Sequence, residues 1–234
     1  MAVSIVQESE LQQTSAAGTW TFNFASAVTQ NNVVVLILRL ATTGRTPNVP
    51  TSTGSATFVQ VTTSGTGVGG LWMWSATEAN SGNTEYKLTF SGSLTAAGVF
   101  QAYELTAMDG ATATSSDASP GQTSGPNPRM TTASGLTIPS GGILIGAIST
   151  AGLNASYGTV TDPANFTRDF NTVSGTIGSF YAANSTAAAS GVTGTVTIAT
   201  QRSCNGLAAV WSPSGGGGGG GSTTFRNLLT LGAG

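Results

Sequence analysis

Short apolar stretches recur along this chain, and glycine, serine, asparagine or proline interrupts them about every 8–15 residues. In segment 19–24 apolar and polar residues alternate, so Trp20, Phe22 and Phe24 point to one face of a strand. No long stretch has the 3.6-residue period of an amphipathic helix. The pattern therefore predicts an all-β protein, built as a two-sheet antiparallel β-sandwich.

Segment 33–40 is apolar on both faces up to Arg39, which predicts a central strand buried on both sides. The other predicted strands are rich in Val, Ile, Thr and aromatic residues. In full, we predict strands at residues 3–7, 19–24, 33–40, 57–62, 71–76, 85–90, 98–105, 135–138, 143–150, 165–170, 177–182, 194–200 and 206–212. The predicted interior residues are Val35, Ile37, Phe58, Leu88, Ile145, Phe166, Ile198 and Val210.

The second half of these strands repeats the first in the same order. AVTQNNVVVLILRLATTG at 27–44 parallels LTIPSGGILIGAISTAGL at 136–153, and ATFVQV parallels ANFTRD with Phe58 matching Phe166. GGLWMWSATEAN likewise parallels IGSFYAANSTAA, and the offset stays at about 107–110 residues. We interpret this as an internal duplication whose halves form one jelly-roll-like sandwich, with two separate sandwiches as the alternative.

Composition divides the chain into segments. The stretch between the repeats is polar and contains prolines, so we expect it to cross the surface as a linker. The predicted segments are an N-terminal strand or arm at 1–16, a sandwich at 17–213 with pseudo-repeats at 17–109 and 127–213 and a linker at 110–126, and a glycine-rich linker with a C-terminal arm at 214–234.

Seven consecutive glycines, 215–221, precede an apolar segment that carries one arginine. Ordering a glycine costs more backbone entropy than ordering any other residue, so such a run holds no shape by itself. We interpret this apolar segment as an assembly arm that a neighbouring subunit receives. The alternative is an arm that folds back onto its own domain. The arm residues are Phe225, Arg226, Leu228, Leu229 and Leu231.

Charged residues make up 7% of the chain, against about 25% in ordinary soluble domains, and the formal net charge is −2. So little charge attracts neither nucleic acid nor an anionic membrane, and we expect a homo-oligomer packed among its own copies. The start of the chain has no signal-peptide pattern, and no apolar stretch approaches the ~18 residues of a membrane span. We therefore expect synthesis in a cytoplasm.

Candidate chemistry is scarce in this sequence. The chain lacks histidine, the commonest general base, and we interpret its one cysteine, Cys204, as a small core residue. Glu78 and Glu104 are the carboxylates considered as a pair, although no spacing pattern supports them, and no serine lies in a nucleophile elbow. A loop calcium ion near Asp162 or Asp169 stays open. We predict a protein that is not an enzyme, with no cofactor and no transition-metal site.

Trp72 and Trp74 share one face of the predicted strand 71–76, and Leu71 and Met73 share the other. Aromatic rings on an exposed strand can stack on sugar rings, which would make this pair a glycan platform. A contact between subunits and a place in the core are the two other interpretations.

The chain resembles a β-sandwich family of tailed-bacteriophage and phage-related bacterial proteins in the segments NNVVVLILRLATTG, GLWMWSATEANSGNTEYKLTFSG, FQAYEL and the later GGILIGAIST and CNGLAAVWSP. Its ending, TTFRNLLTLGAG, resembles the C-termini of tailed-phage virion proteins. The resemblance covers residues 17–234. It implies a structural component of the virion.

Three functions compete on this basis. The first is a capsid decoration (cement) protein, which binds the assembled shell through its arm. The second is a tail-fibre or receptor-binding module that recognises host glycan, although the sequence has no shaft repeat. The third is a bacterial carbohydrate-binding module, which the missing signal-peptide pattern disfavours. We favour the decoration protein, located in the virion, with phage capsid or other virion proteins as its partners.

Overall fold

The computed structural model describes residues 1–13, 18–41, 46–54, 56–65, 69–91, 98–106, 127–152, 156–173 and 178–213, and the backbone of 113–117. Regular structure in these ranges consists of strands alone. The described residues therefore contain no helix that is long and apolar enough to cross a membrane. The strands are β1 (Ile5–Gln13), β2 (Thr19–Asn23), β3 (Val33–Leu40), β4 (Thr51–Ser52), β5 (Val59–Ser64), β6 (Leu71–Thr77), β7 (Glu85–Thr89), β8 (Gly98–Leu105), β9 (Ala113–Asp117), β10 (Leu136–Ile138), β11 (Ile143–Thr150), β12 (Val160–Thr161), β13 (Thr167–Thr172), β14 (Phe180–Ser185), β15 (Ala189–Val192), β16 (Thr197–Ile198) and β17 (Cys204–Trp211).

Two five-stranded antiparallel sheets form the centre of the protein, with the strand orders β1-β8-β3-β6-β5 and β13-β14-β11-β17-β9. Their inner faces share one apolar core, to which Val35 and Ile37 contribute from β3 and Ile145 contributes from β11. Both central strands, β3 and β11, are buried along their whole length. The structure is therefore an all-β sandwich with facing antiparallel sheets, as predicted, and strand 33–40 is central.

Each large sheet also has an apolar outer face, which shorter strands cover. On β3, Leu36 points away from the shared core and packs in a cluster with Phe22 of β2. The small sheet β2-β7-β4 covers the first half, and the ribbons β10-β15 and β12-β16 cover the second. The described residues thus form four layers with three apolar clusters. The two facing sheets form the predicted sandwich, and the further strands cover their outer faces, because sheets that are apolar on both faces need cover on both sides.

The two large sheets have the same strand order. Matching β1, β3, β5, β6 and β8 with β9, β11, β13, β14 and β17 converts one order into the other. Both β5 and β13 carry a bulge at the matched place, between Gln60 and Thr62 and between Arg168 and Phe170. The predicted central strands therefore occupy equivalent positions. An origin by duplication stays a prediction.

Two of the sequence alignments between the halves are one residue out of register. Val33 opens β3 and Ile143 opens β11, and both face the shared core, whereas the sequence comparison placed Val33 opposite Gly142. Leu71 likewise corresponds to Phe180, through their matched pairings with the central strands. Alternation does not fix the register of strands that are apolar on both faces, and a slip of one residue exchanges those faces.

Most of the predicted core is confirmed. Phe166 is the exception, since it is half-buried against the outer core of the second half, and its assignment to the interior is wrong. Strand β9 lies inside the segment predicted as a linker, where the sequence ATSSD offers no apolar pattern. The buried members of the predicted set are Val35, Ile37, Phe58, Leu88, Ile145, Ile198 and Val210.

Reciprocal contacts join the two halves. The Ser149 hydroxyl donates a hydrogen bond to the Gly69 carbonyl oxygen, and the Arg39 guanidinium donates to the Thr150 carbonyl oxygen at 3.4 Å. Arg39 lies against Gly178, where a Cβ atom would be 2.0 Å from its Nη2 atom. Arg39 matches Ser149 and Gly178 matches Gly69 in the corrected register, so the two contacts join the same pair of matched positions, as at a twofold interface.

Candidate functional site

Trp72 and Trp74 lie in the core of the first half. They are 5% and 1% exposed, and they face the small sheet that covers β3. Leu71 and Met73 face the shared core on the other side of the strand, as predicted. Neither indole presents a face to a sugar ring, so burial excludes an exposed platform on this pair. Of the three interpretations of the pair, the structure supports the core.

The predicted assembly residues Phe225, Arg226, Leu228, Leu229 and Leu231 lie outside the described residues, and their role stays a prediction. The last described residue, Pro213, follows β17 and lies beside Gly141, where a Cβ atom would be 3.2 Å from the proline ring. Gly141 lies two residues before the start of β11. The chain therefore continues toward 225–231 from this end of the large sheets.

Glu78 and Glu104 are both fully buried near one turn, at residues 29–32. Glu104 accepts hydrogen bonds from the Thr29 backbone nitrogen at 2.9 Å and from the Asn32 side-chain amide. Glu78 accepts a hydrogen bond from the Tyr86 hydroxyl at 3.0 Å. These bonds hold turns in place. Because neither carboxylate reaches solvent, they do not form the open acid and base pair that a glycosidase needs.

A polar cluster crosses the gap between the large sheets, centred on Asp169 at the bulge of β13. Asp169 accepts hydrogen bonds from the Tyr103 hydroxyl of the opposite sheet at 2.9 Å and from the Asn184 amide at 2.6 Å. Glu8 of β1 accepts a hydrogen bond from the Gln101 amide at 3.5 Å. Burial raises the pKa of Asp169 to about 7; Glu8 raises it as well, while the hydrogen bonds lower it.

Sequence reasoning found neither this cluster nor its pairing, because its members come from β1, β8, β13 and β14. Their meeting depends on strand order and register, which no local spacing contains. The sequence contained one indication of this cluster, because the carboxylate of Asp169 lies in a segment that a two-residue alternation predicts to be a strand.

Asp162, the other candidate calcium ligand, is engaged by an arginine. The Arg168 Nε atom donates to its Oδ1 atom at 2.7 Å, and the Tyr181 hydroxyl donates to the same atom at 3.0 Å. Within the described ranges, no group of three acidic, histidine or cysteine side chains could hold a metal ion. Asp162 therefore serves as an ion-pair partner in the structure.

Cys204 is buried in the core of the second half, as predicted. Burial raises the pKa of its thiol to about 12, while the charge of Arg202 acts in the opposite direction. A thiol with such a pKa stays protonated at neutral pH, and a protonated thiol is a poor nucleophile. Cys204 is thus a packing residue.

A groove of about 380 Å³ opens beside edge strand β5, and we call it the β5 groove. Val59 at its side is 60% exposed. The sequence signal was a strand without charge, VQVTTS, with a valine at its start. The groove is lined by Val33, Thr57, Val59, Ser75, Ala76, Thr77 and Ala79, none of them charged.

Comparison of the chain with known protein families, with characterised proteins and with solved structures finds no match.

Proposed function

We propose that this chain is a non-enzymatic structural protein of a bacteriophage virion, a decoration protein that binds the assembled capsid shell through residues 225–231. The observation that carries the proposal is the apolar segment with Phe225, Leu228, Leu229 and Leu231 beyond seven glycines. The described residues already cover both faces of both large sheets. The body therefore needs no further apolar segment to close its core.

An arm of this kind suits attachment at many equivalent places. Burying one phenylalanine and three leucines contributes roughly 6–10 kcal/mol, and ordering the backbone of residues 225–231 costs a similar amount, at about 1–2 kcal/mol for each residue. One arm alone thus binds weakly, whereas many arms on a symmetric shell bind firmly through effective concentration. A charged fraction of 7% favours close packing of copies around such a shell.

The glycan-binding alternatives lose the residues that suggested them. Trp72 and Trp74 are core residues, and no other described feature points to a sugar. We therefore propose only the function of a decoration protein.

Truncation after Ser214 tests the proposal. The truncated protein should stay folded and soluble by circular dichroism but fail to co-sediment with particles that lack this chain, while the full chain binds. A Leu228→Asp, Leu229→Asp double variant should bind as poorly as the truncated protein. Thr223→Asp and Thr224→Asp together add the same charge outside the apolar segment and should bind normally. Full occupancy by the truncated protein would move the contact to the sandwich and contradict the proposal.

A further inference from the structure

We propose that, in the free protein, segment 225–231 docks in the β5 groove of its own chain, which covers its leucines until a shell is available. The inference rests on the proposed function, because it names where the assembly segment lies before assembly. The sequence allows the arm to bind either a neighbouring subunit or its own domain, and the geometry points to its own domain.

The edge strands of the large sheets differ in their protection. β1 carries Glu8 and Glu10, and β13 carries Arg168 and Asp169. Charges on an edge strand hinder pairing with another segment. Strand β5 carries no charge, ends its sheet with β6 as its neighbour, and exposes Val59. Of the three edge strands whose side chains are described, β5 is thus the one suited to receive an extended apolar segment.

The size and composition of the β5 groove fit the segment. A volume of about 380 Å³ lies within the range of clefts that bind small ligands, about 300–1,000 Å³. Valine, alanine and threonine methyl groups line it, which suits leucine and phenylalanine side chains. In an extended segment Phe225, Leu229 and Leu231 share one face, and that face would be the one against the groove.

Pro213 and the β5 groove lie at the same end of the large sheets. Val33, in the groove, pairs with Leu105 at the end of β8. Strand β1 begins beside Leu105, and Val3 just before it donates a hydrogen bond to the Gly141 carbonyl oxygen at 2.7 Å. Gly141 is the residue beside Pro213. The chain therefore leaves β17 at the end where the groove opens.

The connection is long enough for docking within one chain. Eleven residues, 214–224, separate Pro213 from Phe225. Eleven residues span about 36 Å when extended and about 18 Å on average in a glycine-rich chain. A five-stranded sheet is about 19 Å wide. Docking within the chain has an effective concentration of about 1 mM, so it outcompetes a second copy at micromolar concentration.

Trypsin cleavage after Arg226 tests this proposal in the full-length free protein, because docking protects that bond. Val59→Asp places a charge in the groove and should speed cleavage at Arg226 about tenfold, measured by mass spectrometry. Val173→Asp is the matched control, since Val173 is an exposed valine just beyond β13 and far from the groove in sequence. It should leave the rate unchanged. If Val59→Asp lowers the melting temperature, Ala79→Glu at the exposed rim repeats the test.

Equal cleavage rates in wild type and in the Val59→Asp variant would overturn the proposal. Protection that weakens on dilution would assign the groove to the segment of a second copy, and would overturn it as well. The proposed function fails in a different way. If the proposed function is wrong, the full-length protein does not bind particles even though Arg226 stays protected. If it is right, the Val59→Asp variant, which retains the arm, should bind particles at wild-type occupancy or above.

Discussion

Tyr103 and Asp169 meet across the two large sheets, where the Tyr103 hydroxyl on β8 donates a hydrogen bond to Asp169 Oδ2 on β13 at 2.9 Å. Tyr103 is fully buried, and Asp169 occupies the bulge at which β13 departs from regular pairing. Beyond the polar cluster around Asp169, the core between the two sheets is apolar. We therefore expect the association of the two halves to depend on the protonation of this carboxyl group.

Stability should fall as the pH rises from about 4 to about 7. Burial raises the pKa of Asp169 from an ordinary 3.8 to about 7, so the folded protein keeps a proton that the unfolded chain has released in this interval. Protonated Asp169 contributes its full stabilisation below its pKa in the unfolded chain. That contribution is lost as the pH rises through its pKa in the folded protein. Burial raises the pKa of Glu8 in the same direction. Urea midpoints measured from pH 4 to pH 8 check the slope.

Two variants test whether Asp169, and not another titratable group, causes this dependence of stability on pH. Asp169→Asn should flatten the slope, because the amide does not titrate. Tyr103→Phe should move the transition to higher pH, because the hydrogen bond from Tyr103 lowers the pKa of Asp169. An unchanged slope in Asp169→Asn would assign the pH dependence elsewhere.

Gly178→Ala should destabilise the protein by about 2–4 kcal/mol, through a strained backbone and crowding together. Gly178 has a φ of +76°, and its added Cβ would be 2.0 Å from Arg39 Nη2. Gly82 is the matched control, with a φ of +103° and nothing described within 4 Å of an added Cβ. Gly82→Ala should cost about 1 kcal/mol. Equal unfolding free energies for the two variants would show that Arg39 yields without cost.

Phe58→Ala should cost more than Phe166→Ala, although the two residues occupy matched positions. Phe58 is 5% exposed in the core of the first half, so its truncation should cost about 3–5 kcal/mol. Phe166 is half-buried, and about half that cost is expected because less area and a smaller cavity are involved. Chemical unfolding of both variants measures the difference, and the opposite order would place Phe166 in the interior.

Cys204 should be unreactive in the native protein. Burial raises the pKa of its thiol to about 12, so at pH 7–8 almost no thiolate is present. Reaction with a colorimetric disulfide reagent should therefore follow unfolding, and its rate should rise with urea. A rapid native reaction, on the timescale of an exposed thiol, would contradict the buried position.

Strands that are bounded by turn residues and apolar throughout could be predicted from the sequence. Strands β3, β8 and β11 begin and end at the predicted residues, because a continuous apolar run between polar turns marks a strand that is covered on both sides. That same property hid their register, because Val33 fits opposite Gly142 as well as opposite Ile143 when neither face is polar.

Features that depend on partners distant in sequence could not be predicted. Strand β9 has no apolar pattern of its own and forms by pairing with β17. The contact between Tyr103 and Asp169 requires the stacking of two sheets, and the exposure of Val59 requires β5 to end its sheet. Burial of Trp72 and Trp74 depends on the small sheet that covers them, which a strand read alone does not reveal.

The order of pairing has a consequence during synthesis. Strand β1 pairs with β8, so the first large sheet cannot be completed until Leu105, the partner of Ile5, has been synthesised. A ribosome adds about 5–20 residues per second, which makes that wait about 5–20 seconds. The facing sheet needs β17 and about as long again. Until then the facing sheet is incomplete, so we expect the inner face of the first sheet to stay partly exposed for seconds on each of the neighbouring nascent chains of one messenger RNA.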